Sequence, residues 1–88
     1  MAARIVHNHR AFNTEFAQLW VNNRKFLVIQ WNDWNAHDEV LIEEIDEYGR
    51  ATNRKILARI TCKQNGITSP FISHGASVVG IEVLKKEP

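Results

Sequence analysis

The side chains of this sequence best suited to binding chemistry lie between Asn23 and Trp34. The stretch opens on Asn23, Arg24 and Lys25, as a turn between helix and strand would. It continues as Phe26-Leu27-Val28-Ile29-Gln30 and ends in an Asn32-Asp33 step between Trp31 and Trp34. Indoles beside amides and a carboxylate suit stacking on a flat ligand and hydrogen bonding to its edge. Arg24 and Lys25 would meet phosphate, Gln30, Asn32 and Asp33 would read a base edge, and Trp31 or Trp34 would stack on it. The same run fits a core strand with a polar end equally well, since tryptophans at a strand end also plug small barrels. Trp20 is different: it lies on a helical apolar face and reads as core.

Other chemistries have weaker support. His7 and His9 sit two apart, with His37 and His74 elsewhere. A metal site wants three or four ligands on a fixed scaffold. With neither a cysteine partner nor two histidines a helical turn apart, they read as solvated side chains, and no metal or cofactor is expected. Ser73 and His74 are sequence neighbours, which on a strand point to opposite faces. Cys62 alternates with core residues and reads as a buried structural thiol. As the single cysteine it allows no internal disulfide and suits a reducing compartment.

The elements that would position the Asn23–Trp34 stretch are legible from periodicity. Arg4 to His7 could open a short strand. Phe12, Phe16, Leu19 and Trp20 mark one face of a helix near residues 13–22. Asn13 or Thr14 would cap its start, Glu15 suits the first turn, and Asn22-Asn23 would end it in a left-handed conformation. Everything after reads as β. Lys25 to Trp31 is apolar on both faces, as a strand buried on both sides would be. Val40 to Ile45 is a second strand, followed by a turn at Gly49. Lys55 to Lys63 alternates, with Ile56, Ala58, Ile60 and Cys62 on one face. Asn65-Gly66 signals a turn, residues 67–76 an irregular loop, and Ser77 to Lys85 a last strand. The expected fold is α+β: a small curled sheet or β-barrel of about five strands with one short helix at its end. Phe16, Leu19, Leu27, Ile29, Leu41, Ile56, Ala58, Ile60, Val79 and Ile81 are the expected core.

Eighty-eight residues with 44% apolar and 24% charged side chains describe one ordinary globular domain. A net charge of +1 is too balanced to argue nucleic-acid binding by itself. The charges are segregated, however. Residues 38–47 hold most of the acid, and residues 50–63 hold Arg50, Arg54, Lys55, Arg59 and Lys63 with no acid. A fold that places the two side by side pairs them. No apolar run approaches the roughly 18 residues of a membrane span, and a secretory leader is not evident, so a cytoplasmic protein is expected.

The order of motifs resembles an ASCH-like domain of the PUA superfamily, over nearly the whole of residues 1–88 as a single domain. The similarity is greatest to small ASCH-related proteins of phages and bacteria. The helix Phe12–Val21, Lys25, the Asn32-Asp33 step, the strand Val40-Leu41-Ile42-Glu43-Glu44, the turn Gly49-Arg50, the basic strand Arg54 to Ile60 and the closing Val78 to Leu84 carry it. The resemblance implies a PUA/ASCH-like curled sheet with a ligand cleft rimmed by the Trp31–Trp34 region. It implies the cytoplasm as location, that of a bacterial host cell if the protein is phage-encoded. The family's glycine, glutamate and arginine fall here on Asn23, Val28 and Gln30, and its Gly-Asp on Asp38-Glu39. In enzymatic members, a lysine and a nearby glutamate line the cleft. Valine supplies no general acid or base, so no hydrolysis of acetylated cytidine and no RNA cleavage is expected.

Two readings follow. The first is a non-catalytic module that binds single-stranded RNA or a nucleotide through Arg24, Lys25, Gln30, Trp31, Asn32, Asp33 and Trp34. The second is a small phage-type viral protein, such as an anti-defence factor, that inhibits a host enzyme through protein contact. Its acidic Asp38, Glu43, Glu44 and Glu47 would meet a basic host protein surface.

Overall fold

A computed structural model describes residues 5–30, 34–65 and 75–87. The elements run β1 (Val6–Phe12), α1 (Asn13–Trp20), β2 (Phe26–Gln30), β3 (Glu39–Ile45), β4 (Ala51–Asn65) and β5 (Ala76–Glu87). They form one five-stranded curled sheet in the order β1-β3-β4-β5-β2, with α1 as the short helix. β1 and β3 are parallel and every other neighbouring pair is antiparallel. The expected small α+β fold is the observed one.

The core lies between the concave face of the sheet and α1. Directly opposed residues share a face, so the register shows who points inward. Ala11, Val40, Ile42, Ile56, Ala58, Ile60, Val79, Ile81 and Leu27 supply the sheet's buried side chains. Phe16 and Leu19 come from α1, and Ile29, Trp20, Trp34 and Val83 pack at the margin. The helix is too short to be stable alone. Its start is Phe12, without a side-chain cap, so neither Asn13 nor Thr14 acts as one. It is held by burial and by Glu15, which bonds His9 Nε2 on β1 at 2.8 Å. Its end is as expected: Asn23 adopts φ 56°, and the Arg24 N–H reaches back to the Gln18 carbonyl at 3.0 Å. That closure satisfies a carbonyl the helix end would leave open.

Four expectations need correction. Leu41 is only half-buried, because β3 turns Val40, Ile42 and Glu44 inward and Leu41 and Glu43 outward. Cys62 is exposed. The β4–β5 register shifts between Ile60 and Cys62, which sets Cys62 opposite Gly80 on the convex face. An added Cβ at Gly80 would lie 2.8 Å from both Cys62 Sγ and Thr61 Oγ1, so a side chain there would force those two to shift. His7 and His9 are not solvated but half-buried and paired. Finally, β2 is not buried on both sides. It is an edge strand with Phe26 46% and Val28 51% exposed. The 67–76 loop expectation falls mostly outside the described residues.

The segregated charges do meet. Register sets Arg10, Glu43, Lys55 and Glu87 in one row across the convex face, and Glu39, Arg59 and Glu82 in another. Opposite signs face each other at every step. A third pairing lies on the concave side. Glu44, 4% exposed, receives Arg54 in a two-pronged bond, Nε to Oε1 at 2.9 Å and Nη2 to Oε2 at 2.7 Å. Thr52 adds its hydroxyl.

Candidate functional site

A concavity among the described residues opens where α1 hands over to β2. It is lined by Leu19, Asn23, Arg24, Lys25, Glu82, Val83 and Lys86 and has a volume of about 210 Å³. Three local causes build it. The left-handed turn at Asn23 swings the chain off the helix axis, so that Arg24 and Lys25 precede the strand. β5 pairs with β2 only as far as Gly80, apart from an Ile81 N–H bond to the Lys25 carbonyl at 2.9 Å. The free remainder, from Glu82 on, becomes the opposite wall. A register shift between Leu57 and Ala58 also leaves Lys86 opposite Ile56, on the concave side.

The cations here are held differently. The Arg24 guanidinium lies 4.3 Å from the centre of the Phe26 ring and donates from Nη1 to Gln18 Oε1 at 2.9 Å. Its Nε is buried and has no acceptor, a desolvated donor beside the groove. Lys86 donates from Nζ to the Trp20 carbonyl at 2.7 Å and lies 5.7 Å from the Trp20 ring centre. It satisfies the negative end of the helix. Lys25 is exposed and its ammonium belongs to solvent. Glu82 is the only carboxylate among the lining residues.

The described members of the expected ligand set do not form one cluster. Lys25 and Gln30 lie at opposite ends of β2, roughly 17 Å apart along an extended chain. Trp34 sits with the other edge strand: its ring stacks on His7 of β1, centroids 4.9 Å apart at 13°. His7 Nε2 in turn bonds Asp38 Oδ2 at 2.8 Å, and the Asn35 N–H donates to the same oxygen at 3.0 Å. These bonds, led by that from His7, hold the Asp38 carboxyl below its ordinary range. Trp31, Asn32 and Asp33 lie outside the described residues.

The acidic set is dispersed too. Asp38 is engaged with His7, Glu44 is buried against Arg54, Glu43 sits in the convex charge row, and Glu47 is exposed in the turn before β4. Val28 and Gln30, where the motif order resembling ASCH-like domains would place glutamate and arginine, face outward on β2 opposite Val78 and Ala76. Among the described residues no group of three or more His, Cys, Asp or Glu could hold a metal, and no helix is long and apolar enough to cross a membrane.

Lys86 and Glu82 were missed by sequence reasoning. Their place in the groove depends on how far β5 outruns β2 and on the shift before Ala58, and neither has a local sequence signal. No protein-family model matches the chain, and no curated protein sequence matches it.

Proposed function

We propose that the protein is a non-catalytic module that binds single-stranded RNA through the groove between α1, β2 and β5. The supporting observation is the groove's charge: Arg24, Lys25 and Lys86 against one carboxylate, Glu82, in a chain of net charge +1. A phosphate lying there would meet the exposed ammonium of Lys25, with the positive guanidinium of Arg24 beside it. The half-exposed Phe26 ring beneath Arg24 offers a base a stacking surface nearby. The motif order that resembles ASCH-like domains supports the same ligand class. Relative to the expected set, Arg24 and Lys25 are retained, Gln30 and Trp34 give way to Phe26 and Lys86, and Trp31, Asn32 and Asp33 keep no assigned role.

The protein-contact alternative is weaker. Of its four acidic residues, Glu44 is buried and Asp38 is engaged, so no continuous acidic surface is offered.

The test is fluorescence anisotropy with a labelled oligouridylate at two salt concentrations. Wild type should bind at low salt and weaken as salt rises. Lys25→Ala should lower affinity and shallow the salt slope by about 0.7 for one lost phosphate contact. Lack of binding at the lowest salt, or a Lys25→Ala variant identical to wild type, rejects the proposal.

A further inference from the structure

Glu82 is the group in the groove that a phosphate backbone does not explain. Arg24, Lys25 and Lys86 attract such a backbone, and a carboxylate among them repels it. Glu82 is exposed on β5, two residues past Gly80, where the pairing with β2 ends. The Ile81 N–H bond to the Lys25 carbonyl carries that register one step further, which brings Arg24 opposite Glu82 by position. The guanidinium nevertheless donates to Gln18 Oε1 and lies on the Phe26 ring. Arg59 of β4 stands opposite Glu82 on the other side. Among the described residues, however, no ion pair joins Glu82 to a cation. Both of its oxygens remain available to a ligand.

The register gives that ligand a shape. Phe26 pairs with Gly80, so Phe26 and Glu82 are diagonal neighbours on one face of the sheet, about 7–8 Å apart. Gly80 adds no side chain to this corner. The Arg24 guanidinium, 4.3 Å from the centre of the half-exposed Phe26 ring, makes a stack on which a planar group can lie. Its edge would then meet the Glu82 carboxylate. A groove of about 210 Å³ is small for a whole nucleotide and suits a single base.

We infer that Glu82 is the base-selecting residue of the groove and that the base it selects is guanine, an assignment that rests on the RNA-binding reading. An ionised carboxylate only accepts hydrogen bonds. Guanine carries two donors side by side on its Watson–Crick edge, N1–H and the 2-amino group, and these meet both carboxylate oxygens at once. Cytosine and adenine each offer one amino group. Uracil offers a single N3–H between two carbonyl oxygens, which the carboxylate repels. The 2′-hydroxyl is a lone donor present in every ribonucleotide, so a contact to it would select no base. With guanine bound, the same charge that opposes the backbone becomes a contact. With uracil bound, it stays a penalty, and selectivity needs both sides of that difference.

Fluorescence anisotropy with three labelled heptamers at low salt tests this. All are uridine except at the centre, which is guanosine, inosine or uridine. Inosine keeps N1–H and lacks the 2-amino group. Wild type should bind the guanosine heptamer at least about fivefold more tightly than the uridine one, with inosine between them. Glu82→Gln, with an unchanged circular dichroism spectrum, should erase that order. It should also bind the uridine heptamer more tightly than wild type does, because a charge that repels the backbone is gone. The inosine comparison needs no substitution and holds even where the variant fails to fold. Equal binding of guanosine and uridine, or of guanosine and inosine, overturns the inference and leaves the RNA reading standing. So does a folded Glu82→Gln that keeps the guanosine preference or weakens all three heptamers equally. Lack of binding to every heptamer at the lowest salt rejects the RNA reading and the inference with it.

Discussion

The two sides of the β3–β4 ladder put the same charged segments to different uses. On the convex side, Glu39 and Glu43 face Arg59 and Lys55 in water, where opposed charges contribute only a few tenths of a kcal/mol to about 1 kcal/mol per pair. On the concave side, Glu44 is 4% exposed and is answered by Arg54. Arg54 is also placed 5.3 Å from the ring centres of both Phe16 and Trp20, which stack on each other at 5.5 Å. One residue of phase along β3 separates an adjustable surface pair from a pair that anchors the helix.

The largest expected effect tests that phase directly. Ile42→Ala removes a fully buried side chain and should cost about 2–5 kcal/mol, whereas Leu41→Ala, on the half-buried side, should cost about 1 kcal/mol or less. Urea unfolding of the two variants measures it. Equal losses would mean that β3 does not hold this register.

That comparison also shows what the sequence could reveal. The α-then-β order, the helix stop at Asn23 and most of the core were readable because burial repeats with the period of each element. The phase of β3 was not. Val40-Leu41-Ile42-Glu43-Glu44-Ile45 offers apolar residues to both faces, and either choice buries one glutamate. Arg54, ten residues on and sharing Glu44's face, settles it, and that is a tertiary fact. Cys62 was misread because alternation holds only until a bulge, and this one lies in the pairing with β5, a strand remote in sequence. The candidate site was legible only at Arg24 and Lys25, the two residues next to the helix stop. Lys86 had to be brought in by β5. β2 was read as doubly buried because an apolar run looks alike whether its strand lies at the centre or at the edge of a sheet.

The next effect sharpens the concave side. Arg54→Met keeps the stem that covers Phe16 and Trp20 but leaves the Glu44 carboxylate buried with Thr52 alone. Glu44→Gln leaves an arginine that is 41% exposed and can turn to water. Thermal unfolding should therefore fall further for Arg54→Met than for Glu44→Gln. The reverse order would mean that Arg54 acts through packing and not through charge.

A pH titration of stability separates the same two causes. The bonds from Arg54 come first in holding the Glu44 carboxyl below its ordinary value of 4.5, and those from His7 hold Asp38 below 3.8. A carboxyl lowered in the folded state binds fewer protons than in the unfolded chain. Its contribution is complete above the ordinary value and is lost as pH falls through the folded one. Wild type should lose stability as pH drops below about 4.5. The gap between wild type and Arg54→Met should be full above that pH and should narrow below it. A gap that stays constant into strong acid would rule out the ion pair as its source.

The smallest effect belongs to the convex rows, where a null result carries information. Glu43 and Lys55 face each other at the centre of Arg10-Glu43-Lys55-Glu87. A double-mutant cycle with Glu43→Gln and Lys55→Gln should give a coupling of about 0.2–1 kcal/mol at low ionic strength. It should shrink toward zero near 1 M salt, where the screening length is about 3 Å. The contribution of Arg54 to stability, lying partly out of water, should fall much less over the same salt range. If instead the Glu43–Lys55 coupling persists at high salt, this side is shielded from solvent.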